Sequence, residues 1–164
     1  MEPPCLRDAT AADLPAINDI YNHYVLNSTC TYQTEPATAE ERAQWFAQHG
    51  PKHPVTVAQI GGRVVGWGSL NKFHPRAAYD NTVEDSVYLH DEARGKGLGT
   101  ALLADLIARA QRLGHHTMIG GISADQPASI ALHVKFGFAE AARLREVGFK
   151  FGRWLDVVWM QRML

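Results

Sequence analysis

The spacing of apolar residues changes several times along the chain, and each change marks an element. Residues 5–8 have the make-up of a short opening strand. Asp8-Ala-Thr10 offers cap residues ahead of Leu14, Ile17, Ile20, Tyr21, Tyr24 and Val25. That spacing predicts a helix over 11–27, with Pro15 suited to its first turn. A second helix is expected over 39–48, stopped by Gly50-Pro51. VTVAQI (55–60) and RVVGWGSL (63–70) flank Gly61-Gly62, the pattern of a hairpin closed by a two-residue turn. The polar, aromatic stretch 71–81 reads as a loop. TVEDSVYLH (82–90) alternates: Val83, Asp85, Val87 and Leu89 face one way, Thr82, Glu84, Ser86, Tyr88 and His90 the other.

Leu98, Leu102, Leu103, Leu106, Ile107, Ala110 and Leu113 then recur at helical spacing, with Gly114 as a stop. HTMIGGI (116–122) reads as a strand and 127–137 as a helix that starts at a proline and ends at a glycine. Segments 138–149 and 153–164 are two further strand candidates. Hairpins mixed with strand–helix–strand units imply a mixed sheet covered by helices on both faces, a three-layer α/β domain.

Composition narrows the partners. With 164 residues the chain has the size of one domain, taken as 1–164. Sixteen basic residues stand against seventeen acidic ones, so coating nucleic acid or an anionic membrane is not the expected task. No apolar run approaches a membrane span, and MEPPCLRDAT lacks the apolar core of a signal peptide. Cys5 and Cys30 make neither a disulfide framework nor a metal spacing, and His49, His53, His115 and His116 also lack ligand spacing. The expectation is a cytoplasmic protein without a metal.

The segment between the alternating strand and the long helix carries the chemistry. Arg94-Gly95-Lys96-Gly97-Leu98-Gly99-Thr100 removes side chains where an anion would approach the backbone and opens a helix whose first N–H groups are free. Arg94 and Lys96 add positive charge. A solvated, flexible helix entry explains a lone glycine-rich loop equally well. The P-loop pattern fails because the lysine lies between the glycines, and the dinucleotide pattern fails because Thr100 replaces its third glycine.

SVYLHDEARGKGLGTALLADLIARA resembles the acetyl-coenzyme-A-binding motif of the GNAT superfamily of N-acetyltransferases. NHYV (22–25), TYQTEP (31–36), TVEDSVYL (82–89), ASIALHVKFGF (128–138) and GFKFGRWLDVVWMQR (148–162) are similar to its phosphinothricin and methionine-sulfone acetyltransferase group. The resemblance implies a GNAT fold, with a sheet splayed between strands four and five and the thioester in the gap. It implies acetyl-CoA on Val87, Tyr88 and Leu89 and on residues 94–100. Gln126 stands where the family commonly has an asparagine that bonds the coenzyme arm. The acceptor would be the α-amine of a small amino-acid analogue, and the assembly a homodimer.

Under that resemblance Glu84 is the candidate base, although alternation alone fits an exposed carboxylate as well. An ordinary Glu pKa is low for the task, so burial is expected to raise it. Ser86 and Tyr88 would line the acceptor wall. Tyr88 alone reads equally as a core aromatic. His133 matches the place of a group that can protonate a departing thiolate; general acid and acceptor contact both stay open, and a lone helical histidine is more often structural. Arg76 suits an acceptor's carboxylate or phosphinate, since guanidinium binds such groups bidentately, yet a solvated loop arginine is as common. Phe73, His74 and Tyr79 flank it, and Tyr32 is placed to close the pocket. Trp154 and Trp159 read as core or interface packing. Two other readings are another small amine or a protein N-terminus as acceptor, and a coenzyme-binding sensor without catalysis.

Overall fold

A computed structural model describes residues 4–164; Met1–Pro3, at the head of the stretch read as lacking a signal peptide, lie outside the described residues. The elements in order are β1 (Cys5–Asp8), α1 (Leu14–Asn27), α2 (Ala39–Ala47), β2 (Val55–Ile60), β3 (Arg63–Lys72) and β4 (Thr82–Leu89). They continue with α3 (Leu98–Arg112), β5 (Thr117–Ser123), α4 (Pro127–Lys135), β6 (Ala139–Lys150) and β7 (Arg153–Met163).

The strands form one sheet in the order β1-β2-β3-β4-β5-β7-β6, antiparallel at every step except β4–β5. Its two faces are covered by different helices. Ile17, Ile20 and Tyr24 of α1 pack with Val55, Val57 and Trp67 on one side. Leu103, Leu106 and Ile107 of α3 pack with Leu70, Val83, Met118 and Val158 on the other. The expected three-layer α/β architecture, with its mixed and mostly antiparallel sheet, is what the chain adopts.

Helix starts follow local hydrogen bonding. The expected first turn of the 11–27 helix is instead a 3₁₀ turn over Ala11–Asp13. The Asp13 carboxylate turns back to accept from Thr10 N–H at 2.7 Å and from both Arg7 Nη groups at 2.7 and 2.8 Å. The Arg7 hydrogen bonds hold its pKa down at about 2. In α2, Thr38 and Glu41 exchange backbone–side-chain bonds, a capping box that the 39–48 prediction did not use. The Gly61-Gly62 turn has φ of 57° and 76°, as a two-residue hairpin turn requires. β3 runs two residues past the expected 70, so the 71–81 loop begins at Phe73.

The feature that positions the site is a fork. β4 and β5 pair only at Thr82–Glu84 with Thr117–Ile119. Beyond Glu84 the strands part, while β5 stays paired to β7 as far as Ser123 with Val157. His133 of α4 sits at the fork: a Cβ on Gly120 would lie 2.9 Å from its Nε2. That nitrogen meets the buried Asp85 Oδ2 of β4 at 3.0 Å.

Candidate active site

The parted strands enclose a cavity of about 410 Å³. Glu84, Ser86, Val87, Tyr88 and Leu89 line one wall, and Gly120 to Ser123 the facing one. Arg94, Gly95, Gly97, Leu98, Gly99 and Thr100 close one end, and Gln126 and His133 of the α4 segment line it as well. Of the predicted loop only Lys96, exposed, stands outside it. No side chain caps α3, and its N-cap Gly97 has φ of 77°. The free N–H groups of that first turn therefore open on the cavity, and the helix dipole favours negative charge there.

The residues between α1 and α2 roof this gap, held by bonds the sequence did not announce. Lys150 Nζ donates to the carbonyls of Ser28 and Thr31 at 2.7 and 2.8 Å. Thr29 Oγ1 donates to Asp125 at 2.7 Å and accepts from Gln126 Nε2 at 2.8 Å, so the Gln126 amide is turned toward the roof. Tyr32, expected to close the pocket, instead turns its hydroxyl to Asp156 O and Ser123 Oγ, at 3.0 and 2.9 Å, which share its one proton. Its ring fills the space a Gly148 side chain would need, so it braces the roof from behind and does not line the cavity. Tyr24 and Cys30 do line it, and Tyr24 donates to Leu89 O at 2.6 Å.

The polar face of β4 also borders a second cavity, of about 510 Å³. Glu84, Ser86 and Tyr88 are walls of both. On the far side stand Tyr21, Arg42, Trp45 and Trp67. Asn71 ties the floor, donating to Glu84 O at 3.1 Å and Ser86 Oγ at 3.0 Å. Arg42 was not anticipated; the signal available was its place one turn before Trp45 and Phe46, on the buried stripe of α2.

Electrostatics differ sharply between the two acids of β4. Burial, with the neighbouring Asp85 charge, raises Glu84 to about 7, and its carboxylate has no hydrogen-bond partner among the described residues. Burial likewise raises the Tyr88 phenol, keeping it protonated. His133 is 5% exposed, with Nδ1 on Ser129 O at 2.8 Å and Nε2 on Asp85. Burial alone would lower its pKa, but the Asp85 hydrogen bond and charge outweigh this and the net shift is upward. Both ring nitrogens are thus occupied, which does not suit it to the expected alternatives of general acid or acceptor contact.

Phe73, His74 and Arg76 line neither cavity. Arg76 is exposed at the start of a 3₁₀ turn over Ala77–Tyr79, and His74 Nδ1 accepts its backbone N–H at 3.2 Å. Phe73 meets Trp159 edge-on at 6.3 Å, and Trp159 covers Gly121 beside Glu84. The loop therefore stands at the rim of the site. Among the described residues no group of three His, Cys, Asp or Glu side chains could hold a metal.

Comparison with known proteins agrees with this geometry. Residues 17–138 match the acetyltransferase (GNAT) family. The L-methionine sulfoximine/L-methionine sulfone acetyltransferase of Pseudomonas aeruginosa is 43% identical over 160 residues, covering 95% of this chain and 92% of that one. The phosphinothricin N-acetyltransferase of Streptomyces coelicolor is 36% identical, covering 97% and 95%. The crystal structure of a GNAT superfamily phosphinothricin acetyltransferase from Sinorhizobium meliloti in complex with AcCoA superposes with a TM-score of 0.96. It is 45% identical and covers 98% of this chain and 88% of that one. A sheet forked at β4–β5, an uncapped glycine-rich helix start at its mouth and relatives matched nearly end to end lead to one conclusion: the chain belongs to the GNAT family of acetyltransferases.

Proposed function

We propose that the protein moves the acetyl group of acetyl-CoA to the α-amine of a small amino-acid analogue such as methionine sulfone, methionine sulfoximine or phosphinothricin. The observation that carries this reading is Glu84, a half-buried carboxyl raised to about 7 on the wall between two cavities. One cavity ends on an anion-binding helix start; the other is an aromatic pocket sized for a small molecule. The acceptor classes are those named for the Pseudomonas and Streptomyces relatives.

Acetyl-CoA supplies the acetyl group as a thioester. Arg94 and the N–H groups of residues 97–100 hold its phosphates, Gln126 borders its arm, and the β4 edge at Val87–Leu89, left unpaired by β5, offers N–H donors to the developing oxyanion. Glu84, directly or through water, takes one proton from the acceptor's ammonium. The freed amine attacks the acetyl carbon, the carbon–sulfur bond breaks, and the second proton shed by nitrogen neutralises the thiolate. Ser86 and Tyr88 line the path between the cavities. His133 acts here by position, holding Asp85 and the fork. Arg76, with Phe73 and His74, borders the acceptor's entrance, and Tyr32 supports the roof.

We read the whole chain as one domain, because every described strand shares one sheet. Two free cysteines fit a cytoplasmic setting. No described helix is long and apolar enough to cross a membrane. A homodimer is supported by the exposed apolar side chains of the β6–β7 hairpin: Val147, Phe149, Phe151 and Trp154 are each more than half exposed.

Free-thiol release from acetyl-CoA tests the reaction against the three analogues, ordinary amino acids, polyamines and peptides. Turnover confined to the three analogues is expected. Turnover only on peptides or polyamines would overturn the acceptor assignment, and silence throughout would overturn the reaction itself.

A further inference from the structure

Arg42 is a buried cation that the fold leaves without a counterion. It is 5% exposed. Its guanidinium carbon lies 4.5 Å from the Tyr21 ring centre, 4.7 Å from Trp45 and 6.0 Å from Trp67. Nε donates to Asn18 Oδ1 at 3.0 Å, while the two Nη groups make no hydrogen bond among the described residues. No carboxylate forms an ion pair with it there either. Two acids share its cavity, and neither answers the charge. Glu41 is engaged in the α2 cap, accepting from Thr38 N–H at 2.7 Å. Glu84 sits where burial disfavours its own ionised form.

Burying an unpaired guanidinium is costly, and an arginine does not escape the cost by giving up its proton. The stacked rings satisfy the faces of the group and fix its plane, leaving the Nη edge for an acceptor in that plane. The cavity that Arg42 lines runs on to Glu84, Ser86 and Tyr88. Trp67, under the guanidinium, is registered directly opposite Tyr88. The missing partner is therefore a planar group with a full negative charge, on a molecule small enough for the pocket and beside the catalytic wall. A neutral sulfone does not supply that charge; a carboxylate does.

Building on the acceptor reading above, we propose that Arg42 binds the α-carboxylate of the acceptor, and that this makes the enzyme specific for free α-amino acids. The amine, one carbon away, is then presented along β4 toward Glu84, while the side-chain end points to the rim where Arg76 stands. Esters, amides and amines lacking the carboxylate fit the same volume but leave Arg42 unpaired.

The test compares methionine sulfone with its methyl ester in the wild type, Arg42→Met, Arg42→Lys and Arg76→Met. Steady-state kinetics are paired with calorimetric titration of methionine sulfone into the CoA-bound protein. The wild type should favour the acid over the ester by about 10- to 100-fold in kcat/KM, the scale of one charged hydrogen-bonded contact. Arg42→Met should erase that preference by raising the KM of the acid, with the KM of acetyl-CoA within threefold of wild type. Arg42→Lys should recover part of it, since a lysine keeps the charge without the fork. The proposal is overturned if Arg42→Met leaves the acid/ester ratio intact, if only Arg76→Met removes it, or if the acid and ester fall together with acetyl-CoA affinity. Acid binding that needs Arg42 without any turnover would sustain this inference while refuting the proposed reaction. Turnover insensitive to Arg42 would do the reverse.

Discussion

Glu84 and Asp85 are neighbours in sequence and opposites in circumstance. Strand alternation sends Glu84 to the wall between both cavities and Asp85 to the α3 side, where it borders only the first cavity and has His133 as its partner. Removing that partner leaves a buried carboxylate uncompensated. His133→Leu should therefore destabilise the protein by about 3–5 kcal/mol in denaturant titration, and Asp85→Asn combined with it should recover much of the loss. The pair has a pH signature. His133 has a raised pKa in the folded state, so its contribution is fully present below about 6.5, the unfolded value, and is lost as pH rises through the folded pKa. The stability gap between wild type and the double variant should narrow from pH 6 to 9; a constant gap would show that His133 is not held as a cation. The sequence marked His133 and gave no sign of its partner, because the two lie 48 positions apart and an Asp on an apolar strand face carries no address. Arg42 was hidden for a related reason. A helix pattern reads a charged residue as solvent-facing, although Trp45 and Phe46 one turn later mark that stripe of α2 as the buried one.

At the scale of elements, the glycine-rich entry to α3 was legible because its chemistry is local: backbone conformation, missing side chains and free N–H groups are all written in the seven residues 94–100. Gly97 takes φ of 77° with open space around the place of a Cβ. Gly97→Ala should thus cost about 1–2 kcal/mol through backbone strain, with no steric clash. Its kinetic trace should be a raised KM for acetyl-CoA with the acceptor KM little changed; equal rises in both would place the loop outside the coenzyme site. The fork is a different case. Its existence followed from the family resemblance, while its local support, a histidine ring pressed on Gly120, depends on how α4 docks. The loop expected over 71–81 starts only at Phe73, and Arg76, expected to anchor the acceptor, stands exposed at the rim, since nothing in a loop's composition says where its side chains end.

On the scale of the whole molecule, the chain's order of strands and helices sufficed for the three layers, because hydrophobic period and turn signals both survive in sequence. Assembly is less legible. Trp154, expected in core or interface, is 62% exposed and so stands outside the core. Phe151 begins the β6–β7 turn at φ of 53° and is itself 55% exposed. Most residues pay about 1–2 kcal/mol for that conformation, and glycine or asparagine would not. Phe151→Asn should accordingly stabilise the isolated chain slightly while weakening self-association. Light scattering of the wild type should give the mass of a dimer, and Phe149→Ser with Trp154→Ser should shift it toward the monomer. A monomeric wild type across the concentration range would contradict the assembly.

The central claim is that Glu84 is the base. Its sharpest test is the pH dependence of kcat/KM for acetyl-CoA-dependent acetylation of methionine sulfone by wild type and Glu84→Gln. The wild-type rate should rise as the carboxyl raised to about 7 loses its proton, at lower pH than the limb set by the acceptor's own ammonium. Glu84→Gln should lower the rate at neutral pH by about 10²–10⁴-fold and retain only the acceptor's limb. A variant with wild-type rates and the same profile across pH 6 to 9 would mean that the proton leaves by another route.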